Sequence, residues 1–235
     1  MDGGGACQSD RRERAGRLLL DRRFRTPPYG HVRTVPYVHA SSKSPHMKQA
    51  SNLSAADWSR AALDAIADGG VEQVTVEGLA RRLGVTKGSF YWHFADRSAL
   101  VASALDLWEQ LGTQNIIDQL QQVRDPKAQL RALFATAFGD LVDGPADAAL
   151  MARIDDPVVG PAVRRVTAAR VAFLEEIYRK LGLSPARAAA RACIAYSTYV
   201  GHLQVRRSLL GDQLTTMQST SYLRQVIEVL TADVP

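Results

Sequence analysis

From Leu53 onward, apolar residues recur at three- and four-residue spacing, and no stretch of strict alternation competes. Trp58, Ala61, Ala62, Ala65 and Ile66 mark one helical face, and Gly69-Gly70 ends it. Thr75 stands where an N-cap would open a helix over Val76–Leu83, closed by Gly84. Thr86 would cap a short helix running to about Tyr91. Asp96 would cap a longer one over Arg97–Leu111, with Leu100, Ala104, Leu107, Trp108 and Leu111 on one stripe. Further on, the spacing predicts helices over Ile116–Val123, Pro126–Val142, Ala146–Ile154, Pro157–Leu181, Pro185–Leu210 and Thr216–Thr231. Breaks are expected at Asp125-Pro126, Gly144-Pro145, Asp156-Pro157, Gly182 with Ser184-Pro185, and Gly211. The expected fold class is all-α.

Residues 1–50 follow another rule. Gly3-Gly4-Gly5, an arginine-rich run, Pro27-Pro28, Pro36 and Pro45 leave little apolar periodicity, so a mostly disordered basic leader is expected there. Met47 lies just before the first helical segment, and an upstream start extension is one account of the leader; a basic arm adding phosphate contacts is the other. Ten Lys and Arg stand against four acids in these fifty residues, whereas the whole chain has a net charge of +5. The basic balance therefore resides in the leader and does not argue that the helical part binds nucleic acid. Cys7 and Cys193 are too far apart in sequence to suggest a disulfide framework, and they fit a reducing compartment. No metal or cofactor constellation is expected. His31, His39 and His46 lack partners held in fixed geometry. No run approaches the roughly 18 apolar residues of a membrane span. A cytoplasmic protein is expected.

Local charge tells more. Between Gly78 and Arg97, the cations Arg81, Arg82, Lys87 and Arg97 face one acid, Asp96. The preceding helix carries Asp57, Asp64 and Asp68. In TVEGLARRLGVTKGSFYWHF, residues 75–94, two short helices flank Gly84-Val85, with Leu79, Ala80, Leu83 and Val85 on the apolar side and a glycine able to take positive φ at the turn. That is the arithmetic of a helix-turn-helix with its positive edge turned to a phosphate backbone.

The segment Gly70–Leu111 resembles the N-terminal domain of the TetR family of bacterial transcriptional regulators. The resemblance rests on Val74-Thr75-Val76, Leu79-Ala80, Leu83-Gly84-Val85, Lys87-Gly88-Ser89-Phe90-Tyr91, His93-Phe94 and Asp96-Arg97-Ser98-Ala99-Leu100. It implies a three-helix DNA-binding domain over residues 51–97, a connecting helix over 98–113, and a helical ligand-binding and dimerisation domain over 114–235. It further implies that Thr86, Lys87, Gly88 and Ser89 lie nearest the base edges, that Tyr91, His93 and Arg97 hold phosphates, and that Thr75 offers a hydroxyl to the DNA backbone. Chemistry agrees: lysine can donate to guanine O6 and N7, and serine or threonine can contact either kind of base. Phe90 and Phe94 read as core. Trp92 stands between packing and contact, with packing favoured.

The partners expected are double-stranded DNA with a pseudo-palindromic operator, a second copy of the chain, and a small-molecule effector. Half-sites would lie about 34–36 Å apart or a multiple of that. Ala188, Ala189, Ala192, Ile194, Ala195, Tyr199 and Leu203, with Leu223, Val226, Ile227 and Leu230, are the pairing stripes expected, packing inside the monomer being the alternative. Phe134, Phe138, Phe173, Tyr196, Tyr199 and His202 are the ligand-pocket residues expected, with Met151 and Tyr178 as further candidates. The function expected is a dimeric repressor released by its ligand. A ligand-independent repressor or an activator with the same DNA-binding domain is the alternative. An all-helical enzyme or carrier is the distant one: Asp155-Asp156 and Glu175-Glu176 are adjacent pairs that diverge on a helix, and no Gly-rich phosphate loop is present.

Overall fold

The computed structural model describes residues 53–139, 144–209, 217 and 219–232. The expected leader, with Cys7, His31, His39, His46 and Met47, falls outside the described residues, as do Val142, Leu210, Gly211 and Thr216. Every regular element among the described residues is helical. In chain order these are α1 (Ala55–Gly69), a 3-10 turn (Val71–Gln73), α2 (Val76–Leu83), α3 (Lys87–Phe90), α4 (Arg97–Glu109), a π turn (Gln110–Gln114), α5 (Asn115–Gln121), α6 (Pro126–Phe138), α7 (Gly144–Met151), α8 (Val159–Lys180), α9 (Pro185–Ser208) and α10 (Thr220–Thr231).

The helix starts follow from local hydrogen bonding. Ser54 and Asp57 form a reciprocal capping box at α1. Thr75 accepts from Gly78 N at 3.1 Å, Asp96 from Ala99 N at 2.8 Å, and Asp125 from Lys127 N and Ala128 N at 3.2 and 3.1 Å. Thr86 occupies the N-cap position of α3 with extended backbone, but its hydroxyl makes no capping bond, contrary to the expected cap. Gly84 takes φ 69° and ψ 29°, which lets Val85 N reach back to Ala80 O at 2.9 Å and turns the chain from α2 to α3.

Three boundaries differ from expectation for identifiable reasons. The helix expected to stop at Leu111 continues through the π turn into α5, because slipping to a wider turn conserves backbone pairing where no proline intervenes. Gly144-Pro145, expected as a break, lies within the first turn of α7, where a missing proline N–H costs nothing. The helix expected from Pro157 starts at Val159, because Asp156 Oδ1 accepts from Val158 N and Val159 N at 2.8 and 3.0 Å and holds the chain in a turn.

Burial divides into two cores. The first gathers Trp58, Ala62, Leu63 and Ile66 of α1, Leu79 of α2, Phe90, and Leu100, Ala104 and Trp108 of α4. It also recruits Ala146 and Leu150 of α7 and Val159, Val163 and Val166 of α8, from far down the chain. The second joins Phe134 and Phe138 of α6, Phe173, Ile177 and Tyr178 of α8, Ala188, Ala192, Ala195, Tyr199 and Leu203 of α9, and Leu230 of α10. Most of the α9 stripe expected for pairing with a second copy is thus buried against the chain's own α8 and α6. Tyr178 donates to Leu230 O at 2.9 Å and fastens α10 to α8.

Because nothing lies within 4 Å of a Cβ built at Gly84, alanine there meets only backbone strain. Gly84→Ala is expected to cost about 1 kcal/mol, read as a lowered midpoint in denaturant unfolding with an unchanged slope.

Candidate DNA-contacting surface and interior pocket

Helix α3 has four residues, too few to hold itself in water. Aromatic rings anchor it instead. Phe90 is fully buried, edge-on to Trp58 at 5.5 Å and stacked with Phe94 at 5.8 Å. With Phe90 turned inward, Thr86, Lys87 and Gly88 face outward, Ser89 is half-buried, Tyr91 is exposed and His93 is half-buried. Trp92, favoured above for packing, is 88% exposed: the helix turns only one face to the core, and Phe90 and Phe94 fill it.

Each expected contact residue has a definite local setting. Lys87 pairs with Glu77 across the turn from α2, and each shifts the other: Glu77 raises the lysine's pKa by hydrogen bond and charge, and Lys87 lowers that of the carboxylate. Arg97 donates from Nε to Val74 O at 2.7 Å and from Nη2 to Val71 O at 2.6 Å. It therefore pins the start of α4 to the turn that precedes α2, a structural task beside the phosphate contact expected of it. A Cβ at Gly88 would find only Thr86 Oγ1, at 3.7 Å, so the fold itself does not demand glycine there. Arg82 is committed to Asp68 at 2.8 Å and Asp64 at 3.8 Å on α1, which leaves Arg81 as the outward cation of α2.

A pocket of about 600 Å³, counting its open mouth, lies among α5, α6, α8, α9 and the π turn. Phe134, Phe138, Phe173, Tyr196 and Tyr199 line it. His202 does not: its ring lies between Phe138 at 5.2 Å and Tyr222 at 5.6 Å, deep in the second core. Met151 and Tyr178 also lie elsewhere, Tyr178 being turned to Leu230.

One wall of the pocket is a polar cluster. Asp147 of α7 is 0% exposed and accepts from Trp108 Nε1, from Arg170 Nη1 at 2.6 Å and from the Tyr199 hydroxyl. Arg170 also donates to Thr113 Oγ1 at 2.9 Å and to Gly112 O at 3.1 Å in the π turn, and its guanidinium lies 5.6 Å from the Trp108 ring. Burial alone would lower the Arg170 pKa; the neighbouring Asp147 charge outweighs it and the net shift is upward. Burial, reinforced by Asp147, pushes the Tyr199 phenol well above its ordinary value. Tyr196 exchanges a hydrogen bond with Thr167 at 3.0 Å. The sequence reading missed Asp147, Arg170, Thr113 and Glu77. Its only available signal was a lone charge, Asp147 or Arg170, amid apolar helical residues. Among the described residues, no three His, Cys, Asp or Glu side chains gather as a metal site, and no helix is long and apolar enough to cross a membrane.

Residues 60–104 match the family model of bacterial regulatory proteins, tetR family. Two curated proteins of Pseudomonas putida, the probable HTH-type transcriptional regulator ArpR and the HTH-type transcriptional regulator TtgR, are each 34% identical over 74 residues, 31% of this chain. The match spans 35% of the length of those relatives. Among solved structures, a TetR-family transcriptional regulator from Agrobacterium tumefaciens superposes with a TM-score of 0.60 at 21% identity, covering 73% of this chain and 96% of that one. The regulator FadR from Bacillus subtilis, solved in complex with stearoyl-CoA, gives 0.57 at 15% identity, covering 77% and 99%.

Two substitutions separate folding from surface function. Arg97→Met is expected to cost about 1–2 kcal/mol, allowing for partial exposure, because two carbonyls lose a charged donor. Gly88→Ala is expected to leave stability equal or higher by up to about 1 kcal/mol. Thermal and denaturant unfolding of the purified variants checks both.

Proposed function

We propose, from the tetR-family match of its N-terminal domain, that the chain is a sequence-specific, dimeric DNA-binding repressor released from its operator by a small molecule. The observation that carries the DNA-binding part is the exposed tip of α3, where Thr86, Lys87 and Gly88 face outward while Phe90 fixes the helix from behind. Lys87 and the hydroxyls of Thr86 and Ser89 would read base edges in the major groove. Thr75, Tyr91, His93 and the remaining donor capacity of Arg97 would hold phosphates. Glu77 keeps the Lys87 amine in place until guanine or phosphate replaces it.

A second copy would pack against the outward face of α9. That face carries small and apolar side chains, among them Ala186, Ala190, Ile194, Gly201 and Val205, with Ile194 54% and Val205 47% exposed. On α10, Val229 is 66% exposed. Such residues on two long helices favour close helix–helix contact over solvent.

Ligand release would act through α4. At its start, Arg97 holds the turn before α2; at its end, Trp108 bonds Asp147, and Gly112 and Thr113 just beyond line the pocket. A ligand that fits only one setting of the π turn would thereby favour one setting of the DNA-binding heads. A coupling of about 1–3 kcal/mol is typical of such linkage. The regulator FadR from Bacillus subtilis, of similar fold, was solved in complex with stearoyl-CoA, which supports a small-molecule reading here.

Selection of bound DNA from a random pool is expected to return a pseudo-palindrome, and recovery of unrelated sequences would sink the reading. Lys87→Ala is expected to relax base preference, whereas Tyr91→Ala weakens all sequences alike and leaves the salt slope nearly unchanged, because a neutral phenol releases no counterion. Equal, uniform losses from both would contradict this division. Ile194→Asp with Val205→Asp is expected to give a folded monomer by sedimentation, with the palindrome no longer bound as one unit.

A further inference from the structure

The pocket wall has an unusual charge balance. Arg170 is its one cation, and the cation is already matched by Asp147, which is 0% exposed behind it. Four of the five guanidinium N–H groups are accounted for by bonds to Asp147, Thr113 and Gly112. The Tyr199 and Tyr196 hydroxyls are engaged with Asp147 and Thr167. An incoming molecule therefore meets mainly hydrocarbon, from Phe134, Phe138, Phe173, Ile116, Leu133 and Leu174, beside the Thr136 hydroxyl and the Arg170 guanidinium.

Consider each ligand charge in turn. A carboxylate or sulfonate reaching Arg170 would set two anions on one cation, or strip Asp147 of its partner in a place water does not reach. A buried carboxylate left without its counter-charge is strongly unfavourable. A cationic ligand would confront Arg170 directly, with Asp147 screened behind it. A neutral body avoids both penalties.

We propose that this pocket receives an uncharged, largely apolar molecule, and that the Asp147–Arg170 pair sets this charge preference. The proposal rests on the reading of the pocket as the effector site. It goes further in naming the chemical class and the two residues that select it.

The test compares two dyes of nearly the same skeleton, neutral N-phenyl-1-naphthylamine and anionic 8-anilinonaphthalene-1-sulfonate, by fluorescence titration of the full chain. Ile117→Trp, on the rim of the pocket and only half-buried, fills the space; signal lost in that variant defines binding in the pocket. The neutral dye is expected to bind there at least about tenfold more tightly than the sulfonate. Equal or tighter sulfonate binding overturns the proposal, as does the absence of any Ile117→Trp-sensitive binding. Asp147→Asn leaves Arg170 uncompensated and is expected to move the preference toward the sulfonate by about tenfold or more. An unchanged preference in a folded Asp147→Asn protein overturns the role of the pair. Arg170→Gln, with the opposite charge change, is expected to weaken sulfonate binding further. Should either single variant not fold, the wild-type comparison decides the charge preference and the uncharged double variant Asp147→Asn with Arg170→Gln decides the role of the pair, which a preference unchanged from wild type overturns. Neutral-dye binding that leaves operator affinity unchanged would uphold the charge preference while removing the release mechanism, so the two ideas fail separately.

Discussion

The carboxylate of Asp147 holds the helical body together. It lies on α7, and its donors come from Trp108 on α4, Arg170 on α8 and Tyr199 on α9. Removing a carboxylate from water is costly unless its lone pairs are satisfied by charged and polar donors. Here that requirement fixes four helices at one point. Arg170 then extends the arrangement to Gly112 and Thr113, where the chain keeps a π turn. A Cβ at Gly112 would sit 3.4 Å from Arg170 Nη2, so the small residue lets the guanidinium approach the backbone closely.

The same helix α7 faces both ways. Ala146 and Leu150 belong to the core around α1 and α4, while Ala148 belongs to the core of α6, α8 and α9. Asp147 thus sits where the two cores meet. Arg153, just after α7, also pairs with Glu72 in the 3-10 turn before α2. The exposed pair contributes little by itself, yet it follows the same route from the pocket region to the helix-turn-helix. A change at the pocket wall has a short physical path to α4 and to the turn held by Arg97.

The helix-turn-helix depends on a different balance. A four-residue helix gains almost nothing from its own hydrogen bonds, so burial of Phe90 between Trp58 and Phe94 supplies its position. The outward residues are then free to vary in chemistry without loss of fold. Gly88 shows this most plainly, since the protein itself has room for a side chain there. Trp92 shows the converse: a large ring left 88% exposed because the buried face was already full.

The sequence made the local features legible. Thr75, Asp96 and Asp125 cap helices that periodicity had marked, Gly84 turns where a positive φ was needed, and the aromatic positions of the short helix divide as apolar patterning required, apart from Trp92. Five of the six expected pocket residues do line a pocket, because large rings on the inner faces of long helices have few other places to go. What periodicity could not supply was the partner of each polar group. Lys87 and Glu77 are ten positions apart, Arg97 and Val74 twenty-three, Trp108 and Asp147 thirty-nine, and Tyr199 and Asp147 fifty-two. Nor could it tell which face of α9 turns inward, since that face is chosen by what α8 and α6 present to it. Helix formation, turning and most capping, Thr86 excepted, are settled within a few residues of chain, and so the sequence determined them. The pairing of buried charges and the choice between two apolar faces are settled by distant segments packing together, and only the tertiary structure decided them.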